Sequence, residues 1–389
     1  MDLKYKIGLF NESFPPSIDG VANCVYNYAK EITAKKGDCV VVTPEYPGVK
    51  DNYPFRVYRY PSYDIAKRFG YRVGNVLSFK LRRDLKKEQF DLVHIHSPFA
   101  SSVIASQLRR KDNRFPIVLT YHTRFDLELD KRAKSAWFRR AGRWFILRNL
   151  HAADEVWIVT HRAAQFLRDV GYKGPYRVMY NGTDFPKGKA PAQNVAALRE
   201  KLGLKSSFTF LYVGRMMWYK NIKLILDALK RIGDKVDYQM VFVGGGDDLP
   251  AIKAYAKRLR LHKKIIFTGA VYDREAVRTY FSAADLFLFP STYDTSGLVV
   301  KEAAACAVPC VLVRDACTAE NATDGENSFL CQENAGDLSK CILRAVQDKE
   351  ALRKVGENAQ RDLYLSWEDA VKAACQRYEE LIAERKKKT

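Results

Sequence analysis

Nowhere in this 389-residue chain does an apolar run reach the roughly 20 residues that a helix needs to cross a bilayer. The opening stretch MDLKYKIGLFNESFPP lacks a sustained apolar core with a small-residue cleavage site, so Lys4 to Phe10 reads as a first strand and not a leader. Cysteine occurs eight times, at Cys24, Cys39, Cys306, Cys310, Cys317, Cys331, Cys341 and Cys375, without two-residue spacing or neighbouring histidine ligands. That pattern excludes a disulfide framework or zinc finger and reads as reduced, mostly buried thiols of a cytosolic protein. Gly-x-Gly-x-x-Gly is missing too, since the glycine run VFVGGGDDL at 241–249 has other spacing; a dinucleotide cofactor is not expected. Acidic residues are the scarcer charge, 45 Asp and Glu against 65 Lys and Arg, for a net charge of +20. The imbalance sits early, because residues 1–190 hold 34 basic residues against 19 acidic ones. Such a half suits nucleic acid, an anionic membrane surface, or a merely solvated basic face.

What is present is a long, well-patterned globular chain. A length of 389 residues exceeds what one core usually supports, so two domains are expected. The runs KIGLF, CVVVT, FRVYRY, FDLVHIH, PIVLTYH and EVWIV alternate with stretches of helical period, which implies a parallel sheet covered on both faces. The pattern pauses over NGTDFPKGKAPAQN at 181–194, read as a linker, and restarts with FTFLYVG, YQMVFVG, KIIFTG, DLFLF and PCVLV. Two doubly wound α/β domains follow, then a terminal helix beginning with an N-cap at Ser366.

The segment Phe287 to Cys310, FLFPSTYDTSGLVVKEAAACAVPC, carries the most chemistry. It reads as a buried strand, a loop holding Asp294, and a helix starting near Gly297 with Glu302 in its second turn. Free amides at Ser296, Gly297 and Leu298 would face whatever the two acids hold, and a helix N-terminus suits phosphate. An anion on amides and a polyol on carboxylates together describe a sugar nucleotide. Upstream, Arg215 follows the strand FTFLYVG and Lys220 lies five residues later, two cations placed to neutralise a diphosphate at a strand-to-helix turn. Gly20 sits between the first strand and its helix, and His122 and His96 each end a strand. Ser97 and Thr123 beside them offer hydroxyls to a sugar or acceptor.

Gly20, His122, Gly214-Arg215 with Lys220, and Asp294 with Glu302 resemble, in this order, the motifs of the retaining glycosyltransferases of family 4. Asp294 stands where that family usually has Glu, and Asp19 where it often has a first glycine, which leaves Asp19 free to face the acceptor. The resemblance implies the GT-B fold, two Rossmann-like domains facing one another across an interdomain cleft, with no metal ion or cofactor required. It implies an acceptor-binding domain over 1–185, a nucleotide-sugar domain over 186–365, and a helix over 366–389 crossing back. His122, Asp294 and Glu302 would be the catalytic set, with Gly20, Arg215, Lys220, Ser296, Gly297, Leu298 and Val299 binding the donor. YDTSGLVVKEAAA, HIHSPF and the basic first half look most like bacterial enzymes that glycosylate diacylglycerol. In KRAKSAWFRRAGRWFILR, the residues Lys131, Arg132, Trp137, Arg139, Arg140, Arg143 and Trp144 suit an interfacial helix, or a core helix with a solvated basic face. A second basic and aromatic cluster spans 67–87. Asp126, Glu128 and Asp130 read as a solvated loop. The expected function is hexose transfer from a nucleotide diphosphate sugar, UDP-glucose favoured, to a membrane lipid by a cytoplasmic, membrane-peripheral enzyme. Its partners would be donor, acceptor and anionic membrane, with no nucleic acid. A soluble or polyprenyl-linked glycan acceptor, a sugar-nucleotide epimerase and a non-catalytic basic membrane binder are the alternatives.

Overall fold

Runs such as Val40 to Val42 and Phe208 to Val213 offer no polar face to water, so both sides of their strands have to be covered. The computed structural model describes residues 4–17, 19–64, 72–112, 115–124 and 135–387, in which these strands are buried throughout. Lys131, Arg132, Asp126, Glu128, Asp130 and the start of the 67–87 cluster lie outside the described residues. The chain divides into two compact units, Met1–Asn181 with Trp367–Thr389, and Gly182–Ser366.

In the first unit β1 (Lys6–Phe10), β2 (Asp38–Pro44) and β3 (Arg56–Tyr60) lie to one side. A small antiparallel pair, β4 (Ser62–Asp64) and β5 (Arg72–Gly74), stands apart from the main sheet. On the other side of β1 lie β6 (Leu92–Ile95), β7 (Ile117–Tyr121), β8 (Glu155–Ile158) and β9 (Arg177–Val178). All seven main strands are parallel, in the order β3-β2-β1-β6-β7-β8-β9. The second unit repeats the scheme with β10 (Phe208–Val213), β11 (Tyr238–Val243), β12 (Ile265–Gly269), β13 (Leu286–Leu288), β14 (Cys310–Val313) and β15 (Phe329–Cys331). Their order is β12-β11-β10-β13-β14-β15. Each sheet reverses its winding once, between β1 and β6 and between β10 and β13. Loops leaving neighbouring strands there diverge to opposite faces and open a crevice at the carboxyl edge, where open α/β sheets hold ligands.

The terminal helix Trp367–Lys386 buries Trp367, Val371, Ala374, Tyr378 and Ile382, one stripe at helical spacing, and packs on the helix Gly20–Ala34. Arg377 fastens it to Glu155 at 2.6 Å, and the phenol of Tyr378 meets His94 Nδ1 at 2.6 Å. The stretch 181–194 is not a free linker. Phe185 is buried in the core of the second unit with Phe281 edge-on at 6.1 Å, and a helix starts at Ala192. Low periodicity there reflects a single anchoring aromatic instead of a repeating apolar face. All eight cysteines are free and buried. Among the described residues, no helix is long and apolar enough to cross a membrane.

Candidate active site

The β10/β13 switch point gathers the first group of polar residues. Because β10 and β13 are hydrogen-bonded neighbours, with Leu211 opposite Phe287, the loops after them start side by side. One turns through Gly214 and Arg215 into a short 3-10 turn, Trp218–Lys220; the other runs from Pro290 to Asp294. Lys220 is buried at 8% exposure and its Nζ lies 2.5 Å from Asp294 Oδ1. The other carboxylate oxygen of Asp294 accepts a hydrogen bond from Ser291 Oγ, also at 2.5 Å. Ser291 is fully buried, so this acid is oriented from beneath as well as neutralised from the side.

Three residues past Asp294, Gly297 takes φ +57° as the N-cap of the helix Leu298–Ala305. A side chain there would strain the backbone and bring a Cβ to 2.8 Å from Thr318 Cγ2, so glycine is required twice over. No side chain caps this helix, and the hydroxyl of Ser296 is shielded from solvent without a protein partner. Uncapped amides beside an unspent hydroxyl are what an anion would complete. Leu298 and Val299 open the helix half-buried, and Glu302 lies one turn on.

Glu302 is 4% exposed, and burial lifts its carboxyl above the usual range although Arg274 pulls it down. The Arg274 guanidinium donates to Glu302 Oε1 at 2.6 Å and to both oxygens of Asp184 at 2.6 and 2.8 Å, while stacking on Phe185 at 4.5 Å. Neither Arg274, Asp184 nor Ser291 stands out in the sequence. Arg274 and Asp184 lie 28 and 118 residues before Glu302, separations with no helical or strand meaning, and Ser291 lies 3 before Asp294 within a loop.

The glycine run after β11 also has a structural task. A Cβ on Gly244 would sit 1.9 Å from Gly214 O, and Met216 donates its N–H to Gly245 O at 2.8 Å. Glycines therefore let this loop press against the loop that carries Arg215.

In the first unit Gly20 opens the helix Gly20–Ala34, but Asp19 does not stay free for an acceptor. Its Oδ1 accepts the amides of Val21 and Ala22 at 2.9 and 2.8 Å, an N-cap that fills the helix terminus with the protein's own carboxylate. His122 is 7% exposed and stacks on His96, with His96 Nδ1 and His122 Nε2 3.0 Å apart. Burial pushes His122 down to about 3 and His96 well below the ordinary histidine value, so both imidazoles are neutral.

The helix Ala136–Ala152 buries Ile146, Asn149 and Leu150 on one side. Trp137 and Trp144, seven residues apart and thus on one face, point the opposite way at 70 and 61% exposure, with Phe138 at 62%. The reading of these tryptophans as a core stripe is overturned, because the face that meets the protein is the other one. Arg140 is exposed nearby, Arg139 and Arg143 are half-buried, and Arg148 covers Trp144 at 5.6 Å. A second helix, Phe79–Lys86, exposes Phe79 at 82%, and both helices pack on Ala100–Asp112.

Residues 18–185 match Glycosyltransferase Family 4, and residues 194–362 match Glycosyl transferases group 1. The chain belongs to glycosyltransferase family 4. Two similar curated proteins are alpha-monoglucosyldiacylglycerol synthases. That of Streptococcus pneumoniae is 28% identical over 79% of this chain and 70% of its own length. That of Acholeplasma laidlawii is 26% identical over 91% of this chain and 92% of its own. Among solved structures, the sucrose-phosphate synthase of Thermosynechococcus elongatus superposes with a TM-score of 0.81, covering 98% of this chain and all of that one at 23% identity. This family 4 enzyme is thus a hexosyltransferase with two Rossmann-like domains of the GT-B type.

Proposed function

We propose that the enzyme moves a hexose, with retention, from a nucleotide diphosphate sugar to the hydroxyl of a membrane lipid, diacylglycerol foremost, at the cytoplasmic face of the membrane. The observation that carries the lipid acceptor is the solvent-facing Trp137, Phe138 and Trp144 with arginines among them. Trp137 and Trp144 on the face opposite the helix's buried side, with Phe138 exposed on its flank, present large aromatic surface to solvent among the described residues, and flanking arginines suit anionic headgroups. The similarity to two diacylglycerol-directed relatives points the same way.

On this reading the donor diphosphate takes the place of Asp294 beside Lys220, joined by Arg215 and the amides of Gly297 and Leu298. Asp294, released but still oriented by Ser291, accepts hydrogen bonds from sugar hydroxyls. Glu302, held by Arg274, binds the ribose. The family resemblance assigns neutral His122 to a hydrogen bond with the transferred sugar, and Gly20 to a close approach of its own backbone to the ligand. We assign none of the described side chains as a covalent nucleophile; by the family resemblance, attack comes from the leaving-group face, and the departing phosphate takes the acceptor proton. The cations and helix amides supply the charge stabilisation that a metal gives elsewhere. UDP-glucose is the favoured donor.

The test is incubation of the purified enzyme with UDP- and GDP-sugars and diacylglycerol in anionic vesicles, read by mass of the lipid product. A hexosyl-lipid from one donor bears the proposal out. Donor turnover that needs a soluble or polyprenyl-linked glycan, with lipid untouched, overturns its acceptor half; a sugar epimer formed from donor alone overturns it altogether.

A further inference from the structure

Cys24 lies on the helix Gly20–Ala34, and His96 and His122 follow β6 and β7, yet one ligand atom from each falls within 4.8 Å of the others. Exposure of the three is 0, 1 and 7%. The β1/β6 switch point accounts for the meeting, since it brings the first helix over the ends of β6 and β7.

Two of these groups, His96 and Cys24, are poorly satisfied. His96 and His122 share one proton across 3.0 Å, and His96 Nε2 is left buried without a partner. Whichever tautomer holds, either a donor or a lone pair is stranded, which is unfavourable in a buried position. Cys24 Sγ has only a long contact to Asn181 Oδ1, 3.6 Å. The rings are nonetheless fixed. Tyr28 packs edge-on against both His94 and His96, and His94 is held by Tyr378 and by Thr120 Oγ1 at 2.6 Å each.

One sulfur and two imidazole nitrogens form a donor set for zinc and its thiophilic neighbours, and a poor one for magnesium or calcium, which take oxygen. The nitrogens of a tetrahedral zinc lie about 3.3 Å apart at usual bond lengths. The 3.0 Å pair needs to open by only a few tenths of an ångström.

We propose that Cys24, His96 and His122 form a binding site for a thiophilic divalent cation, Zn²⁺ in the first instance, with a fourth position open to water or Asn181 Oδ1. The cation replaces the thiol proton, which leaves to solvent. The proton between the rings moves to a distal ring nitrogen, so both imidazoles stay neutral and nothing is oxidised or reduced. The site is inhibitory and not catalytic: it occupies His122, the residue assigned above to the transferred sugar, and in that respect rests on the proposed function.

The experiment uses the full-length enzyme freed of metal by a chelator. Titration with Co²⁺ is expected to give a thiolate-to-cobalt charge-transfer band at one equivalent, absent in Cys24→Ala. Zn²⁺ is expected to inhibit wild-type transfer reversibly and to act about tenfold or more weakly on that variant. No band, or an equal band in Cys24→Ala, overturns the site. A Cys24-dependent band with transfer indifferent to Zn²⁺ upholds the site and removes His122 from the sugar contact. Circular dichroism checks the fold of Cys24→Ala, and Cys24→Ser, closer in volume, replaces it if the fold is lost.

Discussion

Replacing Arg274 by methionine keeps an unbranched apolar side chain at this position and removes the guanidinium that joins Glu302 to Asp184 and stacks on Phe185. Breaking a fully buried ion pair costs about 3–5 kcal/mol because it strands the remaining charge. Glu302 fits that description, with a side chain 6% exposed, but Arg274 is 41% exposed and its attraction is screened. A loss of about 2 kcal/mol near neutral pH is therefore expected. The pH dependence distinguishes this cause from lost packing. Burial already holds the Glu302 carboxyl above its ordinary value, and removing Arg274 takes away the main opposing influence, so it rises further. A group whose folded pKa is raised favours the folded state below its unfolded value, and that contribution is lost as pH rises through the folded pKa. The deficit of the variant against wild type should consequently be largest at neutral pH and shrink toward pH ~4, where Glu302 is protonated in both. Urea denaturation across that range measures it, and KM for the donor should rise more than kcat falls if Glu302 holds the ribose. An identical deficit at both ends of the range would refute the electrostatic account.

Lys220→Ala should lower kcat/KM by about a hundredfold or more in the vesicle assay while leaving a cooperative unfolding transition, and undiminished turnover would remove Lys220 from the diphosphate. Gly297→Ala forces φ +57° on alanine and a 2.8 Å approach to Thr318, so thermal unfolding should show a loss of about 1–3 kcal/mol. Trp137→Ala combined with Trp144→Ala should abolish sedimentation with anionic vesicles yet shift stability by no more than about 0.5 kcal/mol, both rings being exposed. Asp19→Ala should cost about 1 kcal/mol in denaturant unfolding through the lost N-cap, and Asp19→Asn much less.

The apolar runs, their alternation with helical segments and the acids at 294 and 302 were legible in the sequence because each is a local property. Strand burial on both faces demands unbroken apolar runs, and a helix that follows a strand through Ser296 and Gly297 places its own N-terminus. A family resemblance resting on short motifs could be read for the same reason. The 181–194 stretch misled because its one anchor, Phe185, leaves no period behind. Asp19 misled because N-capping and ligand binding ask for the same acidic side chain at the same place.

By itself the chain's order of residues determined that there would be two parallel, doubly wound sheets and which loops would carry cations and carboxylates. Only the tertiary structure decided the pairings: Lys220 with Asp294, Glu302 with Arg274 and Asp184, and Cys24 with His96 and His122. These partners stand 74, 28 and 90, and 72 and 26 residues apart. Their meeting is set by strand order at the two switch points, which depends on how whole sheets pack and leaves no periodic trace in the sequence. Which face of the helix Ala136–Ala152 meets the protein was likewise decided by packing, since Trp137 and Trp144 could have served either side.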